Sequence, residues 1–585
     1  MSERRGCGFG QGHFLPEESF QSWGSYVNAL KDTRKRFGDR LFSRSLVEVE
    51  LNEVRARSGH DMKKTLNWFD LIWFGVGAVI GAGVFVLTGL EAKENAGPAV
   101  LLSYVVSGIS ALLSVLCYTE FAVEIPSAVL QISDACAGGS FAYLRVELGD
   151  LVAFIGAANI LLEYVIGGAA ISRAWTSYFA TLFNHQPNDF RIKTDLAEGY
   201  NELDPIAVAI LFITAVIAIK STKFTSRVNS VVSVVHVVII LFVVIAGLTQ
   251  AKASNYSDFM PFGVRGVFKA ASVLFFAYIG FDAVSTMAEE TKNPAIDIPV
   301  GLIGSMVVII IAYCLMATTL CLMQNYKTID PDAPFSVAFK QVGMDWAKYI
   351  VAFGALKGMF TVLMVSVLGQ ARYLTHIART HMVPPWFALV HEKTGTPMNA
   401  TVIMVVATAI IAFFTELNIL SNLLSISTLF LFSLVAIGLL VRRYYVTGET
   451  SNRNQSLFIM FLVIIIGSSI AISINWARSY GWIGYVITVP ILVLGTLGLS
   501  IFVPQARNPK LWGVPLVPWI PALSIAVNIF LLGSIDNASF IRFAVWTVIS
   551  LLYYLFFGLH ASYDTAKVSE MEKIEKGDSV VLTQV

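Results

Sequence analysis

Two apolar stretches of this 585-residue chain carry residues that a lipid-facing helix has no use for. The first reads Phe74-Gly-Val-Gly-Ala-Val-Ile-Gly-Ala-Gly-Val-Phe85, with Gly75, Gly77, Gly81 and Gly83 midway along it. The second reads Phe275-Phe-Ala-Tyr-Ile-Gly-Phe-Asp-Ala-Val-Ser285, where Gly280 precedes the carboxylate of Asp282. A glycine inside a helix costs about 1 kcal/mol relative to alanine, and an isolated charge at the bilayer centre costs at least about 2.5–3.5 kcal/mol. Close helix packing is one reason to keep the glycines, since Gly77 and Gly81 form a small-xxx-small pair. Unwinding is the other. A helix interrupted there exposes N–H groups that can hold a carboxylate and C=O groups that can hold an ammonium, which together recognise an α-amino acid. A dinucleotide fingerprint is excluded, because the spacing is not GxGxxG and no soluble strand precedes it.

The elements that must position these residues are transmembrane helices. The chain is 56% hydrophobic and 14% charged, with a mean hydropathy of +0.68, a balance that a water-facing surface of this size does not tolerate. A spanning helix needs about 20 apolar residues. About 14 such stretches are predicted, near 67–89, 98–121, 150–183, 204–221, 226–250, 268–290, 299–323, 346–376, 398–415, 420–443, 457–476, 483–503, 516–535 and 540–560. The expected fold is all-α and polytopic. Residues 1–66 have no apolar run and read as a solvated cytosolic segment, and the charged tail 561–585 reads as disordered or a sorting signal. With the N-terminus inside, about 28 Lys and Arg fall on the cytosolic side against about 10 outside, which puts both termini in the cytosol. The net charge of +1 singles out no partner beyond membrane lipid, and nothing points to nucleic acid. The five cysteines have no metal or CxxC spacing. No cofactor or metal is expected.

The two interrupted stretches open corresponding five-span blocks, 67–250 and 268–443, with four further spans in 457–560. This is the arrangement of inverted-repeat carriers with a midplane site. A channel is disfavoured because no ring of charges or filter motif occurs, and an enzyme because no nucleophile–base pair or ligand cluster occurs.

At these residues the chain resembles the amino acid-polyamine-organocation superfamily, and more narrowly the plant cationic amino acid transporters, over about residues 60–560. The resemblance is carried by Gly77-Ala-Val-Ile-Gly-Ala-Gly-Val-Phe85, Ala137-Gly-Gly-Ser-Phe-Ala-Tyr-Leu-Arg-Val-Glu-Leu-Gly-Asp150, Leu162-Glu-Tyr-Val-Ile-Gly167, Ala277-Tyr-Ile-Gly-Phe-Asp-Ala-Val-Ser285, Glu289-Glu-Thr-Lys-Asn-Pro294 and Val441-Arg-Arg-Tyr-Tyr-Val-Thr-Gly-Glu449. It implies a ten-helix core of the leucine-transporter type, four C-terminal helices, and secondary active transport of cationic amino acids by alternating access, most simply at the plasma membrane, with vacuolar or other internal membranes as alternatives. It also implies that the substrate carboxylate meets N–H groups near Ala82 and Gly83. The ammonium would meet carbonyls of Val79, Phe276 and Ile279, with Phe276 as an aromatic lid. Asp282, and after it Glu163, are the candidates to face a cationic side chain; Glu163 has the alternative role of a structural partner to Arg173 or to a backbone group. Met359 and Thr361, in Gly358-Met-Phe-Thr361, match pocket positions, although the usual run there is Met-Thr-Thr. His236 occupies a position where proton-coupled relatives place a lysine. It is read either as the proton-coupling group, with an unperturbed pKa of about 6.5, or as a neutral core histidine.

One departure stands out. Ser127-Ala-Val-Leu-Gln-Ile-Ser-Asp-Ala-Cys136 intervenes between Glu124-Ile-Pro126 and Ala137, where the family has a single apolar residue. Either a variant splice product or a tolerated loop explains it. The competing functions are a carrier of neutral amino acids or polyamines, and a non-transporting amino acid sensor.

Overall fold

The computed structural model describes residues 14–41, 66–124, 139–220, 222–281, 284, 287, 291–391 and 396–575. The Ser127–Cys136 insertion lies outside the described residues. In chain order the helices are α1 (Trp23–Lys31), α2 (Thr33–Leu41), α3 (Trp68–Val79), α4 (Ala82–Glu91), α5 (Val100–Glu124), α6 (Gly139–Leu148), α7 (Asp150–Leu182), α8 (Pro205–Lys220), α9 (Thr222–Leu248) and α10 (Gly263–Leu274). There follow α11 (Pro294–Met323), α12 (Pro334–Gln341), α13 (Asp345–Arg379), α14 (Met398–Phe414), α15 (Leu417–Tyr444), α16 (Asn452–Arg478), α17 (Trp482–Phe502), α18 (Trp519–Leu532), α19 (Asn537–Tyr553) and α20 (Leu559–Glu575). The strands among the described residues are a two-residue antiparallel pair, β1 (Ile192–Lys193) and β2 (Glu202–Leu203).

Each predicted span is occupied by helix, at least in part. Eight helical stretches among the described residues are long and apolar enough to cross a membrane, and five shorter apolar helices accompany them. Ile245, Val463, Leu494 and Ile501 leave 63–66% of their surface uncovered, which suits contact with lipid tails. The core lies between α5, α7, α11, α13 and α15, where Tyr104, Ile166, Met316, Leu363 and Leu429 are buried.

Helix α3 starts on a capping box. The Asn67 side chain accepts from the N–H groups of Phe69 and Asp70, and Asp70 accepts from the Asn67 N–H, which satisfies donors that the first turn leaves open. A parallel bridge pairs Leu66 with Thr291, so the entry to α3 is tied to the segment ahead of α11.

At the end where α3, α7 and α11 begin, buried ion pairs fasten the bundle. Arg442 Nη1 donates to Glu147 at 2.7 Å, and Arg443 holds Glu120 at 2.8 Å. Residues 14–41 are not a solvated tail there. Arg36 pairs with Asp564 at 3.1 Å, Arg40 with Asp150 at 2.8 Å, and His381 with the buried Glu17. The part of the C-terminal tail up to Glu575 is helical, which corrects the expectation of disorder there. Hydropathy alone missed both because the docking combines a few ion pairs with scattered aromatic contacts, such as Phe20 and Tyr26 stacked on Phe557, and not a continuous apolar run.

Candidate functional site

The first break is in the predicted place. Helix α3 ends at Val79, Ile80 is extended (φ −70°, ψ 100°), and Gly81 precedes α4 without any side-chain cap. The opening N–H groups of α4, those of Ala82 and Gly83 among them, therefore have no side-chain acceptor among the described residues, and the positive end of the helix dipole faces the gap. Glycine is required by contact: a Cβ on Gly81 would stand 2.8 Å from Val362 of α13.

The second break faces the first. Helix α10 tightens into a 3-10 turn, Phe275–Tyr278, after which Ile279 is extended. Gly280 has φ +114°, on the side of the map open to glycine, and a Cβ there would lie 2.7 Å from the Ala78 carbonyl oxygen. Gly83 closes the contact from the other side, since its Cβ would come within 2.8 Å of the Ala277 Cα. Packing and unwinding thus divide between the glycines of the first stretch. Gly75 is the packing one, set against Ser305 of α11.

Tyr313 joins the two breaks. Its hydroxyl, fully buried in α11, lies 3.2 Å from the Val79 carbonyl and 2.9 Å from the Ala277 carbonyl, and can donate to one at a time. Tyr278 donates to the Tyr104 carbonyl at 2.8 Å, and the rings of Tyr104, Tyr278 and Tyr313 cluster with centroids 5.3–6.3 Å apart. Sequence reasoning passed over Tyr313. The available signal was a phenol in the middle of an apolar span, which needs an acceptor when buried.

His236 adjoins the same gap. It is 4% exposed, within hydrogen-bond reach of the Ile80 backbone, and stacked on Phe85 at 5.8 Å. The Cε1–Nε2 edge of its ring abuts Gly358 of α13, where any Cβ would collide with it. Its Nε2 has no partner among the described residues. Lys357, the neighbour of Gly358, is near enough for its charge to act on the ring, a second ionisable group that the apolar run concealed. Met359 and Thr361 are buried in the following turn, with Thr361 Oγ1 donating to the Lys357 carbonyl at 3.2 Å. Tyr178 of α7 donates to the Phe85 carbonyl at 2.7 Å, which fixes α4 against α7.

The other candidates stand differently. Phe276 is half-buried and its carbonyl accepts from the Ile279 N–H at 3.1 Å, leaving one lone pair. Asp282 lies outside the described residues. Glu163 is half-buried on α7, on the stripe whose neighbours one turn away, Asn159 and Gly167, meet Ser427 and Leu424 of α15. It does not pair with Arg173. Ten residues of helix separate the two by about 15 Å, and Arg173 donates instead to the carbonyls of Glu202 and Ala412, both at 3.1 Å.

The face opposite the termini is closed by a second charged cluster. Arg191 lies 3.3 Å from Glu202, 3.5 Å from Asp204 and 3.3 Å from Asp332. Asp204 is fully buried and also accepts from Thr176 and from the Ala207 N–H. Burial raises its carboxyl pKa above the usual value, despite those donors and the arginines beside it. The three carboxylates raise that of Arg191, outweighing its own burial.

Comparison with known proteins places the chain in a family. The amino acid permease family model matches residues 66–472, and a model of the C-terminus of such permeases matches 512–562. The chain is 67% identical over 572 residues to cationic amino acid transporter 1 of Arabidopsis thaliana, covering 97% of this chain and 95% of that one. It is 59% identical to cationic amino acid transporter 5 of that plant over 94% of this chain and 96% of the relative. With its vacuolar cationic amino acid transporter 8 it shares 53% over 94% and 92% of the two chains.

Proposed function

Because this chain belongs to the amino acid permease family and is a multi-pass amino acid transporter, we propose that it carries cationic amino acids by alternating access, coupled to protons. The observation that carries the reading is the pair of facing helix breaks: the first offers amides at Ala82 and Gly83 that no side chain among the described residues caps, together with the Val79 carbonyl, and the second offers the carbonyls of Phe276 and Ile279. The amides hold the carboxylate and the carbonyls the ammonium, with Phe276 closing over both. Asp282 meets the cationic side chain, and Glu163 stands behind it. Met359 and Thr361 shape the far wall.

His236 is the proposed proton group. Its Nε2, without a partner among the described residues, and its contact with the unwound Ile80 let its protonation bear on the geometry of the break. The blocks 67–250 and 268–443 are proposed as inverted repeats, so that α3–α4 and the α10 segment are counterparts. Both termini are assigned to the cytosol and the protein to the plasma membrane. The energetics suit a cationic substrate: a potential of about −150 mV is worth roughly 3.5 kcal/mol per charge, about a 300-fold accumulation.

The test is radiolabelled lysine uptake in a transport-deficient cell at acidic and neutral pH. It compares the full chain with a form lacking Ser127–Cys136, with Asp282→Asn and with His236→Ala. Uptake that collapses in Asp282→Asn, resists competing glutamine and putrescine, and loses its pH dependence in His236→Ala supports the reading. Equal uptake at both pH values in wild type and His236→Ala removes the coupling role. Uptake only after the deletion shows that the insertion silences the carrier, and lysine binding without flux identifies a sensor.

A further inference from the structure

We propose that a cavity on the face opposite the termini is a binding site for a small oxyanion of the phosphate class, separate from the helix breaks. The cavity, of about 290 Å³, lies between the end of α7, the short helix α12 and the start of α13, and is lined by Thr181, His185, Gln186, Ser336, Lys340 and Lys348 among others.

Lys348 carries the argument. It is 2% exposed, and its ammonium donates to the neutral Asn184 Oδ1 at 3.0 Å and lies 4.3 Å from the centre of the Tyr349 ring. It forms no ion pair among the described residues. Asp345, one helical turn earlier, is not within ion-pair distance of it. An ammonium has three N–H donors, and an unpaired charge withdrawn from water is costly. One amide oxygen and a ring face meet only part of that need. Lys348 lines a cavity with no carboxylate among its lining residues, and Lys340, exposed on α12, adds a second cationic side chain to that lining. Asp189, four residues beyond the lining residue His185, lies 3.4 Å from that ring.

Two cations without an acid select an anion and reject a cationic amino acid, so this is not a second copy of the transport pocket. At about 30 Å³ per water the volume holds roughly ten waters, enough for a tetrahedral oxyanion and its first hydration shell. Two ammonium groups approaching from different helices bind such an ion as point charges. The occupant would bridge the end of α7, α12 and the start of α13. Thr181 donates to the Tyr178 carbonyl, whose hydroxyl in turn holds the Phe85 carbonyl of α4.

The experiment is thermal unfolding of the purified full chain in detergent, titrated with inorganic phosphate and, at matched ionic strength, with chloride. Wild type is expected to show a saturable rise in unfolding temperature with phosphate and none with chloride. Lys348→Met should lose the phosphate response, and Lys340→Gln should raise its half-saturation at least threefold. Equal responses to phosphate and chloride, or an unchanged half-saturation in Lys340→Gln, would overturn the site. The second variant alters only an exposed side chain, so it decides the matter even when Lys348→Met fails to fold. The readout is binding to the protein itself, independent of whether lysine is carried.

Discussion

Replacing Tyr313 with phenylalanine removes one oxygen and tests how the two helix breaks are held together. In the present arrangement the hydroxyl lies 3.2 Å from the Val79 carbonyl and 2.9 Å from the Ala277 carbonyl. Tyr313 is fully buried, so water does not readily replace the lost donor. Leaving a buried acceptor unsatisfied costs about 1–3 kcal/mol. At about 1.4 kcal/mol per factor of ten, the facing arrangement becomes roughly 5- to 150-fold less populated relative to conformations in which α3 and α10 slip past each other. A substrate that binds only the facing breaks then binds apparently weaker by the same factor. Initial rates of labelled lysine uptake against concentration, normalised to the protein in the membrane, should show KM rising by about 5- to 150-fold, with kcat changing less. The ring remains to fill its place in the tyrosine cluster, so expression should be retained. A KM within twofold of wild type, in a variant that reaches the membrane, would refute the idea that this hydroxyl couples the breaks.

Other perturbations follow from the same geometry. Gly280→Ala forces a Cβ onto a residue at φ +114° and within 2.7 Å of the Ala78 oxygen; strain of about 1–3 kcal/mol or more should lower uptake about tenfold, while Gly467→Ala, whose Cβ meets open space, leaves it unchanged in the same assay. Arg443→Met strands Glu120, which is 1% exposed, and should destabilise the protein by about 3–5 kcal/mol; a thermal melt should show the loss, with partial recovery in the double variant carrying Glu120→Gln. Asp204 binds its proton more tightly folded than unfolded, because burial raises its pKa. Its contribution to stability is therefore complete below the unfolded value of about 3.9 and is lost as pH rises through the elevated folded value. Melting wild type and Asp204→Asn across that window should show the wild-type advantage shrinking with pH, and a constant or growing difference would contradict the assignment.

Much of this was legible along the chain, for reasons that differ between residues. A glycine-bearing apolar run such as Phe74–Phe85 is anomalous in lipid whatever surrounds it, so the break after Val79 could be placed from composition and spacing. The apolar runs that form helices stood out by the length that lipid imposes on a span. The docking of residues 14–41 onto α20 was not legible, since Arg36 and Asp564 are distant in sequence and ordinary in composition. Nor could the partner of Arg173 be read: sharing a helix with Glu163 suggested a pair, but the helical rise holds them apart and the carbonyls of β2 and α14 take its place.

What the sequence determined by itself is what depends on local physics: membrane residence, an all-α polytopic fold, and the two points at which helices cannot continue, because hydropathy and glycine conformation act within a few residues. Only the tertiary structure decided that the two breaks face each other, that Tyr313 bridges them, that His236 rests on Gly358 beside Ile80, and that Lys348 lines a cavity without a counter-charge. Each of these depends on distances between residues far apart in the chain, which close packing sets and one-dimensional spacing does not carry.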